Sequence, residues 1–320
     1  MSKVIVTGAA GFIGGQTVLS LLDQGHNVMA VDSAMPPKHL MDLIGTDTSW
    51  FTGDFAGELG LQLIKIQKPD AIVHCAGSSL VGPSVLDPTV YYENNFVKTK
   101  RMLDFLIANK LTDIRIVYSS SASVYGEPIM TPCLEVDPVA PISPYGESKL
   151  MTEWLLNSYA RAYGINPVIF RYFNACGADS QARHGQAPGA THIIARVLEA
   201  VKAGQDFTLY GTEYETPDGT CIRDYIHVED IAAAHILAVD TAVPAGTYNL
   251  GTNLGNSNLE VVRTAARIVK KDIATLHGPA RAGDPAVLTA DPSTFEAIAS
   301  WKAKYKLDDM IAHAWAWYNR

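Results

Sequence analysis

The feature that most restricts what this chain can fold into is its beginning. A β-branched run, Lys3-Val4-Ile5-Val6-Thr7, opens directly onto Gly8-Ala9-Ala10-Gly11-Phe12-Ile13-Gly14. The run has the composition of a strand buried on both faces. Phe12 to Leu22 follows with apolar residues at helical spacing, and Gly25 stands where a helix ends in a left-handed residue. Without Cβ atoms, such a strand–glycine–helix turn can bend sharply and bring its backbone against a pyrophosphate, whose charge meets the helix N-terminus. A tight turn with no ligand also favours glycine, so the pattern draws its force from its surroundings. Asn27 to Val31 reads as a second strand, and Asp32 follows it. A carboxylate there can accept hydrogen bonds from an adenosine ribose and repel a 2′-phosphate. No basic residue directly follows Asp32, so NAD is expected rather than NADP.

The unit recurs. Asp70 to His74, Ile114 to Ser119 and Pro167 to Phe170 are strand-like, and helical segments separate them, notably Tyr92 to Ala108 and Tyr145 to Tyr163. This alternation predicts an α/β fold with a doubly wound parallel Rossmann sheet. From about Phe173 the texture becomes irregular, and the stretch from Cys176 to Thr191 is rich in Gly, Ala, Pro and polar residues. The expected division is an NAD-binding Rossmann domain over residues 1–172 and a smaller, mainly substrate-binding lobe over 173–320, with the segment around 223–250 returning to the first. Such a lobe caps the carboxyl edge of the sheet, where ligands of open α/β sheets bind. At 320 residues, 48% hydrophobic and 18% charged, the chain can bury cores for both parts.

Composition excludes some partners. A net charge of −8 is wrong for a sequence-independent nucleic-acid binder, which needs a basic face, though a local arginine pair can still hold an anion. The four cysteines, Cys75, Cys133, Cys176 and Cys221, include no C-x-x-C spacing, so neither a zinc knuckle nor a redox pair is expected. Scattered thiols suit a reducing compartment. No apolar run is long enough to cross a bilayer, and a first strand beginning near Lys3 leaves no room for a signal peptide. A cytoplasmic protein is expected.

The candidate chemistry lies in two segments. Ser119-Ser120-Ser121-Ala122-Ser123 follows a strand, and Pro144-Tyr145-Gly146-Glu147-Ser148-Lys149 opens a helix. Tyr145 and Lys149 are four apart and share a helix face. A phenol is a poor base at neutral pH, but a neighbouring ammonium and a positive nicotinamide ring favour the phenolate. Ser121 can orient a sugar hydroxyl towards Tyr145. A Tyr/Lys pair alone is common on exposed helices. The glycine turn, the acid, the serine strand end and the Tyr/Lys pair in this order are far more specific.

Over essentially its whole length the chain resembles the UDP-galactose 4-epimerases of the extended short-chain dehydrogenase/reductase family. The matching stretches are Val6 to Gly14, Ser119 to Gly126, Ser143 to Leu150, Arg171 to Asn174, Asp218 to Val228, Tyr248 to Gly251 and Arg281 to Asp284. The later ones discriminate, because many sugar-nucleotide reductases share the earlier ones. The resemblance implies that NAD takes a hydride from position 4 of a UDP-sugar while Tyr145 removes the hydroxyl proton, and that the 4-keto sugar turns over before the hydride returns. It implies cofactor contacts from Gly8, Gly11, Phe12, Ile13, Gly14, Asp32, Asp54, Phe55, Cys75, Ala76, Gly77, Asn94, Ser119, Tyr145, Lys149 and Tyr172. For the UDP-sugar it implies Ser121, Tyr145, Phe173, Asn174, Thr191, His192, Thr208, Tyr210, Arg223, Arg281, Asp284 and Leu288, the two arginines at the diphosphate and Asp284 at the ribose.

Departures carry information. Cys75 stands where many members have Phe, and Ser79 where some have Lys. The loop from Asp179 to Ala190 lacks the acidic pattern expected there. Leu288 stands where hexose-restricted members carry Tyr, which implies room near sugar position 2 and acceptance of N-acetylated sugars. An equally open reading is that Leu288 merely repacks its lobe. A 4,6-dehydratase would need an acid pair where this chain has Ser121-Ala122-Ser123. A 4-epimerase of uronic acids or pentoses, and a non-catalytic NAD-binding regulator on the same fold, remain open. The resemblance also implies a homodimer built on the helices from Tyr92 to Ala108 and from Tyr145 to Tyr163.

Overall fold

The computed structural model describes residues 1–45, 48–240, 243–280 and 284–320. It falls into two compact units: Met1–Val124, Val139–Arg171 and Ala232–Tyr248 form the first, and Tyr125–Pro138, Tyr172–Ile231 and Asn249–Arg320 the second.

The first unit contains the expected sheet. Its strands are β1 (Lys3–Thr7), β2 (Asn27–Asp32), β3 (Ser49–Thr52), β4 (Ala71–His74), β5 (Arg115–Ser121), β6 (Asn166–Tyr172) and β7 (Gly246–Leu250), ordered β7-β6-β5-β4-β1-β2-β3. β1 pairs in parallel with β2 and with β4, Thr7 lying opposite both Val31 and His74. Strand order turns back between β1 and β4, so the carboxyl ends of these two strands flank the crevice in which α/β proteins bind ligands. Val4, Ile5 and Val6 are wholly buried, as a strand covered on both faces requires. Helices α1 (Phe12–Asp23), α2 (Lys98–Ala108) and α3 (Pro144–Tyr163) belong to this unit, and Ile5, Ile72, Met102, Leu106, Ile116 and Leu156 join in one core.

Two features differ from the sequence expectation. β3, Ser-Trp-Phe-Thr, is an edge strand with no fully buried residue, so it carries no apolar run to mark it. Tyr92–Val97, expected as ordinary helix, is a π-helical turn leading into α2. It buries Asn95, whose amide donates to Ser78 O at 3.0 Å and Ser148 Oγ at 2.9 Å while its Oδ1 accepts from the Ser78 N–H at 2.7 Å. Such single-turn bulges recur at functional sites.

In the second unit the strand Ile222–His227 is flanked by Gly255–Ser257, antiparallel, and by Val287–Leu288 and Asn174–Cys176, both parallel. Phe207–Tyr210 pairs separately with Thr275–Gly278. Helix α4 (Ile193–Ala203) contributes Val197 and Leu198 to a core shared with Leu209, Val261 and Ile311. Asp224, fully buried, ties distant segments together: Oδ1 accepts from Thr252 N at 2.8 Å and Oγ1 at 2.6 Å, and Oδ2 from Asn253 N at 2.9 Å and Ala290 N at 3.0 Å.

Candidate active site

In the first unit the glycine turn is built as its spacing predicts. Gly8 has φ +72°, and a Cβ there would lie 2.6 Å from Ala76 N, while one on Gly14 would lie 2.1 Å from Gly8 O. Glycine is therefore required for β1, the loop after β4 and the start of α1 to meet. Gly11 is exposed, Phe12 and Ile13 are half-buried, and no side chain caps α1. An uncapped, accessible helix N-terminus of this kind suits the pyrophosphate of a dinucleotide. Asp32 accepts from Ala10 N and Ala34 N, both at 2.9 Å, one on each oxygen, so its carboxylate is fixed at the mouth of the turn.

The other expected cofactor residues are placed as follows. Asp54 pairs with Lys98 at 3.0 Å and accepts from Ala56 N at 3.0 Å. The Phe55 ring is buried against His74, centroids 4.8 Å apart. Cys75 Sγ accepts from the Ser119 hydroxyl at 3.2 Å, and burial pushes the thiol up to about 11. Ala76 is half-buried, and a Cβ on Gly77 would lie 2.5 Å from Asn95 Oδ1 and 3.7 Å from Lys149 Nζ. Asn94 donates to Ser78 Oγ at 3.0 Å.

The catalytic candidates come together beside these. Ser143 caps α3 by accepting from Gly146 N at 3.2 Å, and Pro144 occupies its first turn. A Cβ on Gly146 would lie 2.6 Å from Ser123 O, so the absent side chain lets the first turn of α3 press on the serine segment. Tyr145 and Lys149 point inward, 9% and 5% exposed. Lys149 Nζ donates to Ser119 O at 2.8 Å and lies 5.9 Å from the Tyr145 ring centroid. Burial lowers the ammonium to about 8, against opposing pulls from Cys75 and Glu153. One sequence expectation needs correction. Within the folded chain the Tyr145 phenol is not made more acidic: burial raises it, and the facing Ser121 hydroxyl only partly brings it down. Ser121 Oγ also accepts from Ser123 N at 3.2 Å.

Spacing did not reveal Glu153, one further turn along the face of Tyr145 and Lys149. It is 1% exposed and receives Ser120 Oγ together with Arg171, whose Nη2 donates at 2.6 Å.

In the second unit Thr191, Thr208, Tyr210 and Asp284 line one cleft, together with Arg196 and Asn258, which sequence reasoning missed. Arg223 is 8% exposed; it donates to Ile222 O at 2.7 Å and to the Asp284 carboxylate. Leu288 is half-buried and lies in register with Arg223. Asn174 donates to Asp224 O at 3.1 Å. His192 is exposed at the N-cap of α4. Tyr172 and Phe173 are buried, the latter ring 6.3 Å from that of Tyr125. Arg281 lies outside the described residues.

Comparison with known proteins follows the same lines. Residues 4–251 match the profile of the NAD dependent epimerase/dehydratase family. The chain is 39% identical to a UDP-glucose 4-epimerase of Halalkalibacterium halodurans, over 99% of this chain and 95% of that one. The crystal structure of a UDP-glucose-4-epimerase from Stenotrophomonas maltophila, with bound NAD and formylated UDP-arabinopyranose, superposes with a TM-score of 0.94 at 31% identity, covering 100% of this chain and 98% of that one. The UDP-Glc/GlcNAc 4-epimerase of Campylobacter jejuni superposes with a TM-score of 0.85 at 34% identity, covering 100% and 99%.

Proposed function

The chain belongs to the NAD dependent epimerase/dehydratase family, and on that footing we propose that it interconverts the 4-epimers of a UDP-hexose, UDP-glucose and UDP-galactose. The reading is carried by one observation: Ser121, Tyr145 and Lys149 converge, largely buried, beside the glycine turn. NAD, when bound, supplies the hydride acceptor and donor at sugar position 4 and a positive ring. Tyr145 takes the proton of the 4-hydroxyl and returns it. Ser121 steadies that hydroxyl and favours the phenolate by donating to it. Lys149, anchored on Ser119 O, keeps a positive charge near the phenol in a site shielded from water, where charges act more strongly. The two units divide the task, the first holding NAD and the second the UDP-sugar. Arg223, paired with Asp284 in the folded chain, neutralises the diphosphate once that group competes for it.

The test is a panel of UDP-sugars incubated with the purified, NAD-containing protein, with product stereochemistry read by NMR. UDP-glucose and UDP-galactose should interconvert, and Tyr145→Phe should lose about 10²- to 10⁴-fold in kcat while keeping its NAD. Conversion of no UDP-sugar would return the protein to the non-catalytic class.

A wider substrate range is favoured by Leu288, half-buried in register with Arg223. A leucine leaves space near sugar position 2, so UDP-N-acetylglucosamine should also be a substrate. Leu288→Tyr should cut kcat/KM for the N-acetylated sugar at least about tenfold relative to UDP-glucose, the cost of overfilling a packed site. Equal effects on both sugars would remove this role.

We also infer a homodimer through the helical segments 92–108 and 145–163, which carry the exposed Val97 and Trp154. Residence in the cytoplasm accords with four free cysteines among the described residues. Among those residues no helix is long and apolar enough to cross a membrane.

A further inference from the structure

The cleft of the second unit is lined by Thr191, Arg196, Thr208, Tyr210, Asn258 and Asp284. Its walls hold one cation that nothing above has used. Arg196, fourth residue of α4, sets its guanidinium 5.7 Å from the Phe207 ring centroid and 5.6 Å from that of Tyr210. Among the described residues no carboxylate pairs with it; Asp284, in the same cleft, is engaged with Arg223. A guanidinium carries five N–H donors in a rigid fork and no acceptor. The two rings favour a cation at this position, and the guanidinium lines the cleft.

A planar ligand rich in carbonyl oxygens answers this geometry. Uracil carries an acceptor at O4, to which one N–H of the guanidinium can donate, whereas cytosine has an amino group at that position that would meet it donor to donor. We propose that Arg196 is a specificity-determining residue that donates to the carbonyl edge of the uracil of the substrate, held in place by Phe207 and Tyr210; this rests on the UDP-sugar reading above. A site built to hydrogen-bond a ligand group discriminates strongly against analogues that leave its donors unpaired.

Calorimetric titration of the NAD-containing protein with UDP and with CDP tests it. Wild type should bind UDP at least about tenfold more tightly than CDP. Arg196→Ala should lose about tenfold in UDP affinity and most of the preference between the two. Arg196→Lys, which keeps the charge without the fork, should recover part of the affinity but not the preference. Equal loss for UDP and CDP in Arg196→Ala would make Arg196 a phosphate ligand and overturn the proposal, as would an unchanged preference. Failure of wild type to bind UDP at all would instead overturn the UDP-sugar reading, so the two failures are told apart.

Discussion

Burial and charge compete around Lys149. Its surroundings would strip the proton at about 8, and Glu153 is one of the groups that resist. Glu153 is itself pinned by Arg171 and Ser120, so three ionisable side chains stand within a water-poor region under the catalytic face. Removing one member of such a set leaves its partner charged and unpaired. Glu153→Gln is therefore expected to cost about 3–5 kcal/mol of unfolding free energy, measured by denaturant titration. In whatever protein stays folded, the alkaline limb of the kcat–pH profile should move to lower pH, because Lys149 loses a charge that favours its protonated form. A merely structural Glu153 would leave that limb in place. At this scale the sequence revealed Tyr145, Lys149 and Ser121, whose spacing is itself chemical information. It did not reveal Glu153, Asn95 or Arg196. Polar residues in a helix read as surface until tertiary packing shows which face is covered, and nothing in their local spacing says so.

The first turn of α3 positions Tyr145, and it does so through a missing atom. With a methyl on Gly146 held 2.6 Å from Ser123 O, helix and serine segment must part. Gly146→Ala should lower the melting temperature by a few degrees, matching about 1–3 kcal/mol of overpacking, and should reduce kcat more than it raises KM. Wild-type kcat in this variant would show that the close approach does not set the Ser121–Tyr145 geometry. Most elements were legible because their periodicity was strong: β1, β2, α1 and α3 lie within a residue or two of where the pattern put them. The π turn at Tyr92–Val97 was not, since one inserted residue barely alters an apolar period. β3 escaped because an edge strand need not bury a continuous run.

For the molecule as a whole, acid is the expected weakness. His74, His227 and His235 are buried, and burial takes each from 6.5 down to about 3. Between those values the unfolded chain binds protons that the folded protein refuses, so stability falls as pH drops below 6.5, by about 1.4 kcal/mol per pH unit for each histidine. Asp230, pushed up to about 6 by burial, works the other way from there down to 3.8, and Asp224 is shifted in the same upward direction. Three groups oppose two, and above pH 6 the histidines outweigh Asp230. The melting temperature should therefore decline from pH 7 to pH 5, and a flat calorimetric profile would contradict the neutral buried histidines. At this scale the parallel sheet followed from the alternation of elements. The return of a segment within 223–250 to the first unit was also expected, but the passage of Tyr125–Pro138 to the second was not, because which segments join which core depends on contacts between residues far apart in the chain.

The interleaving of the two units bears on how the protein is made. β7 borders β6 in the sheet, yet everything from Phe173 to Ala245 is synthesised between them. At about 5–20 residues per second, the emerging chain holds the outer edge of β6 open for several seconds. An open edge is a template for other strands, including those of neighbouring nascent chains. The newborn protein is thus most prone to aggregate in that interval, and a message cut short before Gly246 should yield insoluble product rather than a self-standing dinucleotide-binding half.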